Sequence, residues 1–357
     1  MNAEYGGAPG DITPINIMKT VAILLVMLDH SMTSQFKESV LVSFWEQTAV
    51  PLFLVIMGFN AAGSLRRRGV TSVSNRTYMR RRMRRYLSPL VVFFAVASPI
   101  TLARCVTDQS NGLSLDQLPV TGPGVWFVPV ALSSVFVLPI LHGAYRRRPR
   151  RTMVACMVND LMHQAVLYGL TIAYADFRDL FRFLVLCSVT AYLTPIVLGF
   201  WFSDGVGLSD RRNWFVYPLC ALSLSYMAIH ELTGLSVVFF MTDYNVAVMP
   251  YSAMLFLLGM RLLPGRDSGL VHGLFVKTGR ATFHILLTQA AVFSAVLVLF
   301  PDGFLEPDGL AHGLTLYAGI ASACVAIGTC WLKVEQRLCT SQRLGTSMAG
   351  IGDQVYR

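Results

Sequence analysis

The feature that most limits what this chain can fold into is an alternation of long apolar stretches with short connectors crowded with arginine. A membrane-crossing helix needs about 20 mainly apolar residues. Stretches of this kind lie near residues 14–35, 47–65, 86–106, 124–143, 153–173, 182–202, 213–233, 246–263, 281–300 and 313–333. Inside lipid every backbone N–H and C=O has to find a partner within its own element, so such stretches are helices. A membrane β-barrel would show alternating segments of about ten residues instead. The expected fold class is therefore all-α: a polytopic integral membrane helix bundle with about ten transmembrane helices. It forms a single domain over residues 1–357, with spans from roughly 14 to 335 and a short tail at 336–357. Composition agrees. Only 14% of residues are charged, against about 25% in a typical soluble domain.

The placement of the charges orients the bundle. With ten spans both termini share a side, and 25 of the 29 lysines and arginines fall on that side. Only Lys37, Arg104, Arg178 and Arg182 fall on the other. Basic residues collect in cytoplasmic loops, so both termini are expected in the cytoplasm and the protein in the cytoplasmic membrane. Clustering beside spans also accounts for the net charge of +9 without nucleic acid as a partner. The seven cysteines sit mostly in or beside apolar runs with no CxxC pair, and no pattern of metal ligands is present. The first span lacks a charged leader segment and a small-residue cleavage site, and is expected to be retained.

Ionisable groups within spans are costly and mark candidate sites. Lys19 and His30 in the first span are eleven residues apart, which puts them on one helix face about 16 Å apart along the axis. A long anionic cofactor would find a cation at one end of that face and a proton-accepting imidazole at the other. A snorkelling lysine and a histidine bonded to a neighbouring helix fit the same spacing. The run Arg80 to Arg85 ahead of the third span anchors topology, and guanidinium forks also suit phosphate. Asp29, Asp160 and His163 are candidates to line an interior polar cavity, to which the resemblance described below adds Trp126. Asp160 and His163 share a helix face with Gln164, although each, like His284 and Gln289, also suits a hydrogen bond between helices.

Five segments together resemble the acyltransferase-3 family of integral membrane O-acyltransferases. Lys19 to His30 keeps the family's spacing of a basic residue and a catalytic histidine, with lysine for arginine. Pro51 to Phe59 resembles its Phe-rich stretch ending in Ser-Gly-Phe, with Met57 for serine. Arg82, Arg85 and Pro89 resemble its Arg-x-x-Arg before a proline, and Arg81 with Arg84 fits nearly as well. Trp126-Phe127 resembles its Trp-Phe pair, and Gly279-Arg280-Ala281-Thr282 its late Gly-Arg segment, which here ends in Leu286 and Gln289 where relatives end in histidine.

The resemblance covers roughly residues 12–335. It implies an O-acetyltransferase with no bound cofactor and with acetyl-CoA or another acyl-CoA as co-substrate. The acceptor would be a hydroxyl on a glycan, a lipid-linked sugar or a glycosylated small molecule, met in the membrane lipid. His30 would be the general base or a transient acyl carrier, and Lys19, Arg82 and Arg85 would bind the donor. A transporter or flippase for a polysaccharide or lipid-linked sugar is the alternative that a polar bundle interior also allows.

Overall fold

The computed structural model of the chain describes residues 12–32, 44–69, 76–107, 124–174, 184–233, 246–265, 269–299 and 310–355. Lys37, Arg178, Arg182 and Arg266 lie outside them. The described residues are helical and contain no strand. The helices are α1 (Thr13–Ser31), α2 (Ala49–Arg67), α3 (Arg76–Thr107), α4 (Phe127–Arg147), α5 (Pro149–Ala173) and α6 (Leu193–Ser203). They continue with α7 (Val216–Thr233), α8 (Met249–Leu262), α9 (Gly269–Arg280), α10 (Thr282–Leu299) and α11 (Leu310–Val355).

Five stretches are long and apolar enough to cross a membrane: Thr13–Ser31, Ala49–Arg67, Phe127–Arg147, Arg211–Thr233 and Ala311–Leu338. Val189–Ser203, Met249–Leu262 and Thr282–Val296 are apolar but shorter. With α3 and α5, these elements overlap all ten stretches read from the sequence. Helix α9 has no counterpart in that reading. On the outer side of α5, Val154, Val158, Met162 and Val166 form an exposed apolar stripe at i, i+4 spacing. In water such a stripe would be a liability; in lipid it is the required surface.

Helix α1 is the hub, packing against α2, α8, α9, α10 and α11. The other tightly packed element is α6, in which every residue from Thr194 to Phe202 is buried. An element apolar on all sides belongs in the interior of a bundle. It crosses α2 backbone to backbone. A Cβ on Gly58 would stand 2.0 Å from the Ile196 carbonyl oxygen, and one on Gly199 would stand 2.2 Å from that of Val55. Small residues at a helix crossing permit this approach. That is a physical reason for the Gly58 of the Met57-Gly58-Phe59 segment.

The stretch expected to be one span at 182–202 is interrupted. Residues 184–186 are helical, the helix breaks at 187–188, a 3-10 turn runs from Val189 to Tyr192, and only then does α6 begin. A broken helix inside a bundle exposes N–H groups that need partners, and α5 supplies them. Asp160 accepts from the backbone N–H of Leu193 at 3.1 Å and of Thr194 at 2.8 Å. Asn159 donates to the Thr190 carbonyl at 2.6 Å. His163 meets the Thr190 hydroxyl at 3.2 Å and the Asn159 carbonyl at 2.9 Å.

At the arginine-bearing end of the bundle, Asp204 ties three elements together. It accepts from Arg66 at 2.8 Å and from the Tyr145 hydroxyl at 2.8 Å, and pairs with Arg212 at 3.5 Å. Arg66 is therefore part of the packing as well as of the charge asymmetry.

Candidate functional site

A cavity of about 800 Å³ runs beside α1, walled by α2, the first half of α3, the start of α4, α10 and α11. Its lining follows helical periodicity. From α1 it takes Lys19, Ile23, Val26 and His30, and from α2 Phe53, Met57, Asn60, Ser64 and Arg67. Steps of three and four residues keep each set on one face. Lys19 and His30 thus share the cavity, as their spacing requires.

One end of the cavity is strongly basic. Lys19, Arg67, Arg68, Arg81, Arg82, Arg85 and Arg280 all line it, beside Tyr78 and Tyr86. The register of the arginine run in α3 is thereby resolved: Arg81, Arg82 and Arg85 border the cavity and Arg84 does not. Arg82 lies between Tyr78 and Tyr86, one turn away on either side, and both act on its guanidinium. Burial pushes the Tyr78 hydroxyl above its ordinary pKa despite the opposing pull of Arg82, so it remains a neutral donor at neutral pH. Arg280 arrives from α9. A Cβ on Gly279 would stand 2.0 Å from the Asn16 carbonyl oxygen, so glycine alone lets α9 seat against α1 there. The Thr20 hydroxyl, donating to the Phe275 carbonyl at 2.6 Å, holds the same contact. So many cations around one space repel one another unless an anion with several charges occupies it.

A carboxylate also borders this end. Glu335 of α11 meets His284 of α10 at 2.6 Å, and the Trp331 ring packs edge-on to that imidazole at 5.3 Å. The pair locks α10 to α11 and keeps the Glu335 charge engaged among the arginines.

The other end is less charged and more aromatic. His30 lies in the last turn of α1, which ends at Ser31. The expected span continues to residue 35 and places the imidazole near mid-membrane; the helix stops sooner, so the ring stands near a helix end. Its Nδ1 lies 3.4 Å from an Asp29 carboxylate oxygen, and the ring meets Phe293 of α10 edge-on at 6.3 Å. That carboxylate contact is longer than a hydrogen bond but favours the proton on Nδ1. The His30 side chain is 27% exposed, enough to be reached from the cavity. Trp126 also lines the cavity, stacked on Tyr192 with centroids 5.8 Å apart and planes 23° apart. Gln47 completes this end, and its buried Oε1 has no hydrogen-bond partner among the described residues.

Of the residues singled out in the sequence, Lys19, Asp29, His30, Arg82, Arg85 and Trp126 meet at this one cavity. Asp160 and His163 do not line it; they are engaged in closing the break before α6. Arg280 of the late Gly-Arg segment lines it as well, and Gln47, Asn60, Ser64, Arg67 and Glu335 line it without having been singled out. For the α2 residues a signal was present, since Asn60, Ser64 and Arg67 repeat at helical spacing from Met57. Glu335 comes from far along the chain and carries no such local mark.

The arrangement can bind a long polyanion at one end and present an imidazole at the other, with an apolar passage formed by Ile23, Val26, Phe53 and Ile56 between them. No curated protein and no solved structure matches the chain. The profile of the acyltransferase-3 family, described as an acyltransferase domain, matches residues 12–335, and the chain belongs to that family.

Proposed function

We propose that this membrane acyltransferase is an O-acetyltransferase that takes its acyl group from acetyl-CoA and passes it to a hydroxyl of a glycan, a lipid-linked sugar or a glycosylated small molecule. The observation that carries the reading is the two-ended cavity, basic along one stretch and bearing the Asp29–His30 pair at the other. Phosphates of the donor would sit among Lys19, Arg82 and Arg85, with Arg81 and Arg280 beside them, where guanidinium forks match phosphate oxygens. The pantetheine arm would follow the apolar passage and bring the thioester to His30.

There the acceptor oxygen attacks the thioester carbonyl. A C–O bond forms, the C–S bond breaks, and the hydroxyl proton passes through His30 to the departing thiolate. Asp29 orients the imidazole and stabilises its protonated form between the two transfers. Trp126 would offer its ring to a sugar face.

In this reading the bundle crosses the cytoplasmic membrane ten times with both termini in the cytoplasm. The basic end of the cavity then opens where acyl-CoA is made. The test is thiol release from acetyl-CoA by the purified protein in lipid nanodiscs, combined with mass spectrometry of cell-surface glycans and small metabolites with and without the gene. Acetyl-CoA-dependent thiol release and an acetyl ester that disappears with the gene support the reading. Normal glycan acylation without the gene, alongside defective glycan export, would instead indicate a transporter.

A further inference from the structure

Gln289 of α10 is entirely buried, and neither its Oε1 nor its Nε2 has a hydrogen-bond partner among the described residues. A buried polar group left unpaired destabilises the fold. An apolar side chain of the same shape would be more stable at this position, so the amide calls for a reason other than packing. Its location suggests one. Phe293, the ring that meets His30 edge-on, is four residues further along α10 on the same face. Helix α10 starts beside Arg280 at the basic end of the cavity. Gln289 therefore lies one turn back from the His30 contact, on the side from which a thioester would arrive. Leu286, one turn before it, borders the cavity, as does Gly124 across from it. The Gln289 Nε2 is 4.0 Å from where a Cβ on Gly124 would stand, and Gly124 holds φ +82. Leu286 Cδ1 stands 3.0 Å from the same position, so the amide lies directly behind the part of the cavity wall that Gly124 and the Leu286 side chain form.

We infer that Gln289 is the oxyanion donor of the transfer, its Nε2–H hydrogen-bonding the acyl carbonyl oxygen as charge develops there; this rests on the acyltransferase reading above. When the acceptor oxygen attacks, the C=O pair moves onto the carbonyl oxygen. When the intermediate collapses, the double bond re-forms and the C–S bond breaks. Gln289 transfers no proton in either step and stays neutral, so it needs no counter-charge in an apolar wall. Leu287, Ala290 and Phe293 are buried around it. Exclusion of water strengthens such a hydrogen bond at the moment it forms.

The experiment compares wild type, Gln289→Leu and Gln289→His in nanodiscs, with acetyl-CoA as donor and methyl β-D-glucopyranoside or water as acceptor. It reads thiol release and thermal stability on the same preparations. Gln289→Leu is expected to lower kcat by about 10²–10³-fold, with the KM for acetyl-CoA essentially unchanged, because the lost contact is made only in the transition state. Its stability should equal or exceed wild type, a divergence that a packing role does not produce. Gln289→His, which restores an N–H donor, should keep roughly a tenth or more of the activity. Wild-type kcat in Gln289→Leu overturns the inference, as do parallel losses of stability and activity in both variants. Absence of thiol release from wild type with either acceptor overturns the acyltransferase reading beneath it, and is distinct from both.

Discussion

The crossing of α2 and α6 allows a substitution of one methyl group to be worked through. In Gly58→Ala the new Cβ would stand 2.0 Å from the Ile196 carbonyl oxygen. Even a close carbon–oxygen contact settles at about 3.3 Å, so the helices must separate by roughly 1.3 Å. Both parties are backbone, and no side chain can rotate away to absorb the shift. A gap of 0.5–1 Å, on the order of this shift, already forfeits a quarter to a half of the dispersion energy across a contact. Overpacking a tight site costs about 1–3 kcal/mol, offset in part by the roughly 1 kcal/mol by which alanine exceeds glycine in helix propensity. We expect a net loss of about 1–2 kcal/mol, since backbone on both sides puts the cost in the upper part of that range, seen as a lower unfolding temperature in detergent. Activity should fall with it, because α2 also carries the cavity residues Phe53, Met57 and Asn60. Gly199→Ala meets the Val55 carbonyl at 2.2 Å in the same crossing. Once one substitution has parted the helices the other meets less resistance, so the double variant should lose less than the sum. Gly169→Ala in α5, where a Cβ meets nothing within 4 Å, is the control and should be neutral or stabilising. Wild-type stability in Gly58→Ala, or fully additive losses in the pair, would mean that α2 and α6 do not meet backbone to backbone at this crossing.

Three further outcomes are expected. Replacing Arg82 and Arg85 with Gln should raise the KM for acetyl-CoA at least about tenfold, since each charge-assisted hydrogen bond contributes about 1.5–3 kcal/mol, while membrane insertion is held by the arginines that remain; an unchanged KM would demote the pair to a topology anchor. Asp160→Ala strips the acceptors from the Leu193 and Thr194 N–H groups and should destabilise the fold by about 3 kcal/mol, with Asp160→Asn, which keeps one acceptor oxygen, intermediate; equal stability of all three by thermal unfolding would mean that the break before α6 is closed by other groups. Reporter fusions after residues 75 and 357 should read cytoplasm and fusions at 112 and 305 the opposite side, where a cytoplasmic signal at 112 would end the ten-span topology.

The parts of the site legible in the sequence are those set by local periodicity. Lys19 and His30 fall on one face because eleven residues make almost three whole turns, and the cavity runs along that face. Arg82 and Arg85 follow from the same geometry, but the choice between them and Arg81 with Arg84 needed the neighbours of α3. What periodicity cannot show is which neighbour a face meets. Asp160 and His163 are as polar and as well aligned as Lys19 and His30, yet they meet the interrupted segment before α6 and are engaged with its backbone. That interruption is poorly marked in an otherwise apolar stretch, so the need for a cap there was hidden. Glu335 and His284 meet although they are 51 residues apart in sequence. The amphipathic helix α9 is short, and its role as the strut that delivers Arg280 depends on the Gly279–Asn16 approach.

If the imidazole at the end of α1 handles the acceptor's proton, His30→Ala should all but stop transfer without unfolding the protein. The substitution removes one partly exposed ring and its contacts with Asp29 and Phe293, and leaves the rest of the α1 packing against α2 and α10 in place. A general base of this kind contributes about 10²–10⁴-fold to the rate. Thiol release from acetyl-CoA, acceptor acylation and thermal stability, measured on one preparation each of wild type and variant, should show at least a roughly 100-fold loss of transfer with the unfolding temperature nearly unchanged. A stable His30→Ala protein that transfers acetyl at close to the wild-type rate would show that His30 does not carry the acceptor's proton.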